Sequence, residues 1–328
     1  MWTAYAVSML PCMTDLDLDF DLADQLVSAR ARRRDGAEPP HLDPTLERVR
    51  RGYYRAVGDG LTGSQQYELR LRATADARRG TLVFSHASAA HLWGCPLLRS
   101  DTRLVHATQP GKARKTTAGT QIHRTSLPDE HVVELPSGLT ITSKAWTAIQ
   151  IAAELPLPNV LLPLDHLARL LNTDPVGDPT GSAVIAMLLD LIPRGMKRRS
   201  RAEAHLRLAD PRSGSAGEAL SRGQMALLHI PRPELQVRFP RIDVPGEDVV
   251  DFDWPELGVF GEFDGRGKYF REEMTGSRTP EEVLWDEKIR EDRIRRHRPR
   301  AARWGWDVAM SRDRLAQVLA AAGVRPGG

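Results

Sequence analysis

Residues 249–269, VVDFDWPELGVFGEFDGRGKY, set Asp251, Asp253, Glu262 and Asp264 among Val, Phe and Trp. A charge left unpaired in such surroundings costs on the order of several kcal/mol, so these acids call for partners. Strand alternation puts Asp251 and Asp253 on one face of a strand over 248–254, with Val250, Phe252 and Trp254 on the other. Glu262 and Asp264 share a face of a second strand over 258–264, and Pro255-Glu256-Leu257-Gly258 between the two is turn chemistry. Symmetric pairing about that turn sets Trp254 opposite Val259 and Asp251 opposite Glu262, with Cβ atoms roughly 4.5–5.5 Å apart. A hard divalent cation, Mg²⁺ or Mn²⁺, removes the conflict between two acids at that spacing. Mg²⁺ is commonly held by one or two carboxylates together with phosphate oxygens of a substrate. Such a cation would polarise a phosphoryl oxygen and activate a water, while Lys268, past Gly265 and Gly267, would steady the developing charge. The competing reading makes Asp251 and Asp253 the solvent face of a half-exposed strand and Asp264-Gly265 a plain turn. Glu262, between Gly261 and Phe263, fits that second reading least well, and Asp253 reads as a surface residue.

Glu218 is ambiguous. Ser215-Ala-Gly-Glu218 matches the capping box S-x-x-E, in which Glu218 bonds back to the Ser215 amide; equally, Glu218 would reach toward the same cation. Basic residues surround this region. Residues 285–304, WDEKIREDRIRRHRPRAARW, form a charged helix and strand in which Lys288, Arg290 and Arg303 would face phosphate, unless the run is only a solvated helix. Arg222 is a further candidate contact for nucleic acid. Farther upstream, RVRRGYYRAV at 48–57 reads as one strand whose Arg50 and Arg51 would touch a phosphate backbone, or else as an edge strand with Tyr53 or Tyr54 packed inward. His86, His91, His106, His123 and His131 lack tight ligand spacing and read as structural histidines.

These side chains need elements to hold them. At 328 residues the chain is long enough for two or three compact units, and 41% hydrophobic residues suffice for their cores. The polar stretch DPRSGS at 210–215 is the clearest boundary, giving regions 1–80, 81–210 and 211–328. Leu22, Leu26 and Val27 share helical spacing, so a short helix ending by Gly36 is expected. Helices are expected over 64–80, 85–93, 143–154, 160–172 and 181–210, the last broken near Pro193, with β-prone segments at 102–108, 120–124 and 131–142. From 216 onward the order is helix 216–228, strands 234–239, 248–254 and 258–264, helix 280–297, strand 302–308 and helix 311–322. That is an α/β sandwich after a mixed α+β region. With two cysteines there is no disulfide framework, which suits a reducing cytoplasm. The opening MWTAYAVSMLPCM lacks the features of a signal peptide and no apolar run has membrane length, so a cytoplasmic protein is expected. Net charge is +3 with a pI near 9.0, which permits nucleic-acid binding without arguing for it.

GEALSR (217–222), VVDFDW (249–254), GEFDGRGKY (261–269), EKIREDRIR (287–295) and ARWGWDV (302–308) occur in that order. Together they resemble the restriction-endonuclease-like (PD-(D/E)xK) superfamily, in particular a bacterial family related to very-short-patch-repair endonucleases. SHASAAHLWG (85–94) and GLTITSKAWTAIQIA (138–152) resemble the AbiEi-type antitoxin-like region that precedes such a domain in actinobacterial and actinophage proteins. The resemblance implies an αβββαβ nuclease core after a possible degenerate winged helix. It makes Asp251 and Glu262 metal ligands, Glu218 an auxiliary acid, and Lys268 the cation at the scissile phosphate. The superfamily's lysine lies two residues after the glutamate, where this chain has Asp264, a third carboxylate for the metal. The expected activity is a Mg²⁺- or Mn²⁺-dependent DNA endonuclease in phage defence, toxin–antitoxin biology or repair, with a homodimer and a cognate toxin or antitoxin as partners and no membrane. The alternative is a non-catalytic, antitoxin-type DNA-binding regulator that keeps the nuclease fold.

Overall fold

In the computed structural model, residues 25–58, 60–78, 82–109, 119–241, 244–265 and 280–327 are described. The chain has mixed α and β structure and divides into two compact units. One comprises 1–155 with 188–203, and the other 156–187 with 204–328. Among the described residues, no helix is long and apolar enough to cross a membrane.

Among the described residues, the first elements of the first unit are strand β1 (Val27–Ser28) and helix α1 (Ala29–Arg34). The short helix expected to end by Gly36 spans Ala29–Arg34, whereas Val27 pairs with Tyr54 in a strand and Leu22 lies outside the described residues. The basic run expected as one strand is instead a hairpin of β2 (Leu46–Arg50) and β3 (Tyr53–Ala56). Gly52 makes the reversal possible, because its φ of +85° is open to glycine at no steric cost. Helix α2 (Gly63–Asp76) starts at a full capping box, Thr62 with Gln65. A five-stranded sheet follows, in the order β6-β5-β4-β8-β7, from β4 (Val83–Phe84), β5 (Val105–Thr108), β6 (Thr120–His123), β7 (Val132–Glu134) and β8 (Thr140–Thr142). Helix α3 (His86–Leu92) lies between β4 and β5, and α4 (Lys144–Glu154) follows β8. Tyr67, Leu71, Phe84, Leu92 and Ile141 form the buried centre of this unit.

In the second unit, α5 (Leu161–Leu171) is followed by α6 (Ser182–Leu191) and α7 (Arg199–Leu208), the latter two straddling the division between units. Then come α8 (Ala216–Leu227), β9 (Glu234–Pro240), β10 (Glu247–Trp254), β11 (Val259–Phe263), α9 (Pro280–His297) and β12 (Arg300–Trp304). Helices α10 (Trp306–Ala309) and α11 (Arg312–Ala321) end the chain, so the strand expected to reach 308 stops at Trp304. The sheet order is β12-β11-β10-β9, with β12 parallel to β11 and the other pairs antiparallel.

The β10–β11 turn has the expected form. Pro255 opens a short 3-10 turn, Gly258 closes it at φ +59°, and Trp254 pairs with Val259. One sheet face meets α8: Phe263 lies against Gly217, and Trp304 Nε1 donates to Ser221 Oγ at 2.8 Å. The other meets α9, where Ile294 packs with Phe239, Val250 and Phe260.

The simple alternation does not hold along β10. Val250 packs on the α9 side, but Asp253, expected on the opposite face, binds Arg298 just after α9, while Phe252, expected beside Val250, stacks on Trp304 at 5.2 Å. The pleat is therefore interrupted at Asp251. Opposite it, Gln236 takes a left-handed φ of +53°, and the ladder passes from Val250↔Val237 to Phe252↔Leu235. Gly217 gives the sheet its close approach to α8, since a Cβ there would overlap the Phe263 ring. Gly217→Ala should therefore destabilise by about 1–3 kcal/mol despite the better helix propensity of alanine, as read from the urea midpoint.

Candidate functional site

The pleat interruption turns Asp251 away from its neighbours and toward the start of α8. Asp251 Oδ2 accepts the Phe263 amide at 2.8 Å, and Oδ1 accepts from Gln236 Nε2 at 3.3 Å. The same Gln236 Nε2 donates to Glu218 Oε2 at 3.0 Å, so one side-chain amide spans two carboxylates. Ser215 Oγ caps the Glu218 amide as the S-x-x-E pattern requires, but the reciprocal bond comes from one residue earlier: Glu218 Oε2 accepts from Gly214 N at 2.7 Å. Burial, followed by the charge of Asp251, pushes the Glu218 carboxyl up to about 7. Amides of Gly214, Gln236 and Phe263 and the Ser215 hydroxyl supply the hydrogen bonds to this pair.

Glu262 lies elsewhere in charge terms. It is buried, with Oε1 at 2.5 Å from Arg290 Nη2 and Oε2 at 2.7 Å from Arg303 Nη2. Burial raises its carboxyl above the ordinary value, and the two guanidinium groups oppose that rise. Among the described residues, no group of three or more His, Cys, Asp or Glu is placed to hold one metal ion. The expected set of Asp251, Glu262 and Asp264 is thus not assembled, because both Glu262 oxygens are committed to arginines. Asp264 continues the strand ladder through its amide, which donates to Trp304 O at 2.8 Å. Lys268 lies outside the described residues. Asp251 and Glu218 alone still match what Mg²⁺ or Mn²⁺ takes from a protein when phosphate oxygens and water complete the shell.

One acid lies where the sequence did not put it, and another carried no expectation. Asp253 is buried and receives Arg298 Nε and Nη2 at 2.7 and 2.8 Å, a paired core residue and no surface one. Asp248, not singled out from sequence, is equally buried between Arg241 and Arg293. Gln236 was also missed; it sits inside LQVRF, which reads as an ordinary strand.

The basic candidates separate as well. Arg222 is buried, 2.5 Å from Asp165 Oδ2 and bonded to Leu208 O, so its expected contact with nucleic acid gives way to a core ion pair. Arg50 bonds Ala73 O near the end of α2, whereas Arg51 is exposed in the hairpin turn. Lys288 is exposed, with Nζ 5.7 Å from the ring centre of exposed Trp285. Arg290 and Arg303 are the two that reach a candidate acid.

No family profile matches the chain. It is 30% identical over 227 residues to the uncharacterised protein Rv2248 of Mycobacterium tuberculosis (strain ATCC 25618 / H37Rv), covering 67% of this chain and 73% of that protein. The chain belongs to that protein's family. The uncharacterised protein MT2308 of the CDC 1551 / Oshkosh strain matches to the same extent, with the same coverage of both chains.

In the first unit the histidines do gather. His86 stacks on His123 with ring centres 3.6 Å apart, and His106 Nδ1 lies 2.9 Å from His123 Nε2. Burial, then the neighbouring rings, holds His86 well below the ordinary value, and burial takes His106 down to about 4. His86 has φ +53°, and its amide donates to Gln150 Oε1 at 3.2 Å. Stacked rings do not converge their nitrogens on one point, so the group is structural as it stands.

Two titrations of opposite sign follow. The raised Glu218 carboxyl binds its proton more tightly in the folded chain, so its contribution is greatest below about 4.5 and declines as pH rises through 7. Glu218→Gln should gain stability relative to wild type across that interval and hold the gain above it, by thermal melts at each pH. The depressed histidines do the reverse: their contribution is present above 6.5 and declines as pH falls toward 4. His86→Asn, which tolerates the left-handed backbone, should flatten that acid limb; an unchanged limb would remove the histidines as its cause.

Proposed function

We propose that the second unit is a divalent-cation-dependent phosphodiesterase acting on nucleic acid, most simply a DNA endonuclease. The observation that carries the reading is the pair Asp251 and Glu218, one half-buried and one buried acid joined through the single side-chain amide of Gln236. Like charges at such a site raise each other's free energy, and a cation relieves them. Bound there, Mg²⁺ or Mn²⁺ would supply an activated water and a polarised phosphoryl oxygen. Asp251 is held for this task by the Phe263 amide, and Glu218 by the Gly214 amide and the helix cap at Ser215. The resemblance to restriction-endonuclease-like proteins supports the same reading, with Asp251 a metal ligand and Glu218 an auxiliary acid. It also suggests the setting of phage defence, toxin–antitoxin biology or repair.

A second reading has its own observation. The clasp of Arg290 and Arg303 on Glu262 neutralises an acid that the nuclease reading wants for metal, which favours a DNA-binding regulator retaining an inactive nuclease fold. Plasmid and oligonucleotide cleavage with Mg²⁺ or Mn²⁺ separates the two. The nuclease reading expects cleavage that falls by about a hundredfold or more in Asp251→Asn, as loss of a group stabilising transition-state charge commonly does. Salt-sensitive DNA binding with no cleavage under either cation would favour the regulator.

A further inference from the structure

Glu262 is held as a ligand would be. Two guanidinium groups grip its two oxygens, the geometry in which arginines also take phosphate. The grip is incomplete on the arginine side: Arg303 Nε is buried with no hydrogen-bond partner among the described residues. Glu287 lies 3.1 Å from Arg290 and 2.8 Å from Arg303, and Glu291 is 3.5 Å from Arg303. Three acids against two guanidinium groups leave excess negative charge, so a further anion enters only when one acid leaves.

We infer that Arg290 and Arg303 are the phosphate-binding pair of this site, and that Glu262 occupies their place until phosphate displaces it. The inference rests on the phosphodiesterase reading for the identity of the anion. A phosphate offers more acceptor oxygens than a carboxylate, enough to include the unpartnered Arg303 Nε. Arg290 stays oriented through the exchange because its Nη2 also donates to Val249 O at 2.6 Å. Glu262, once released, is a bare acid immediately before Phe263, whose amide binds Asp251. Two adjacent acids favour a cation, so phosphate and Mg²⁺ should each tighten the other's binding, by the same factor in both directions.

Calorimetric titration of the full chain with inorganic phosphate and with Mg²⁺, separately and together, tests this, with their association in buffer subtracted. In wild type, saturating phosphate should tighten Mg²⁺ by about tenfold, a common size for coupling between sites. Glu262→Gln removes the competing charge, so it should bind phosphate more tightly in the absence of Mg²⁺ and lose the coupling. Equal or weaker phosphate binding in Glu262→Gln overturns the exchange. If that variant does not fold, absence of coupling in wild type overturns it instead. The cation reading fails separately, by an Mg²⁺ affinity that Asp251→Asn leaves unchanged while phosphate still binds more tightly to Glu262→Gln.

Discussion

A carboxylate buried in a β-sheet must find a partner, and the sheet of the second unit is arranged around that demand. Asp248 takes Arg241 and Arg293, Asp253 takes Arg298, and Glu262 takes Arg290 and Arg303. Arg290 and Arg293 come from α9 and Arg298 from the residue after it, so the acids fix where that helix lies along the strands. Removing one member of such a buried pair costs about 3–5 kcal/mol, which makes the alignment of α9 stiff. Asp251 stands outside the series. It has amides in place of arginines and shares one of them with Glu218.

How far the sequence led can be judged residue by residue. Pro255 and Gly258 announce the β10–β11 turn, and the register follows, because a tight turn leaves the flanking strands little choice. The period-two rule then fails one residue too early. It assumes an unbroken pleat, and the left-handed Gln236 breaks it through a backbone angle that a glutamine in a strand gives no hint of. Asp253 was consequently read as exposed, when it and Val250 both project toward α9. Partners far along the chain were equally hidden: Arg222 looks like surface charge on a helix until Asp165, 57 residues earlier, is seen beside it.

The histidines of the first unit show the same limit from the opposite direction. Their spacing in sequence is wrong for a shared site, yet β5, β6 and the start of α3 bring His106, His123 and His86 into one stack. The left-handed backbone at His86 is a conformation costing of order 1–3 kcal/mol in general, and here it aims an amide at Gln150 and a ring at His123. Neutral imidazoles pack as flat, weakly polar plates, so the stack depends on the burial that keeps protons off them.

The division of the chain has a consequence for synthesis. The first unit needs residues 188–203 and the second begins at 156, so the two are interleaved along the chain. Domains emerging from a ribosome tend to fold in order, each as soon as it is whole. Here the earlier unit is not whole until residue 203 has been made, by which time 156–187 has already emerged. Residues 156–187 must then wait, with Asp165 lacking Arg222, while the preceding unit closes behind them.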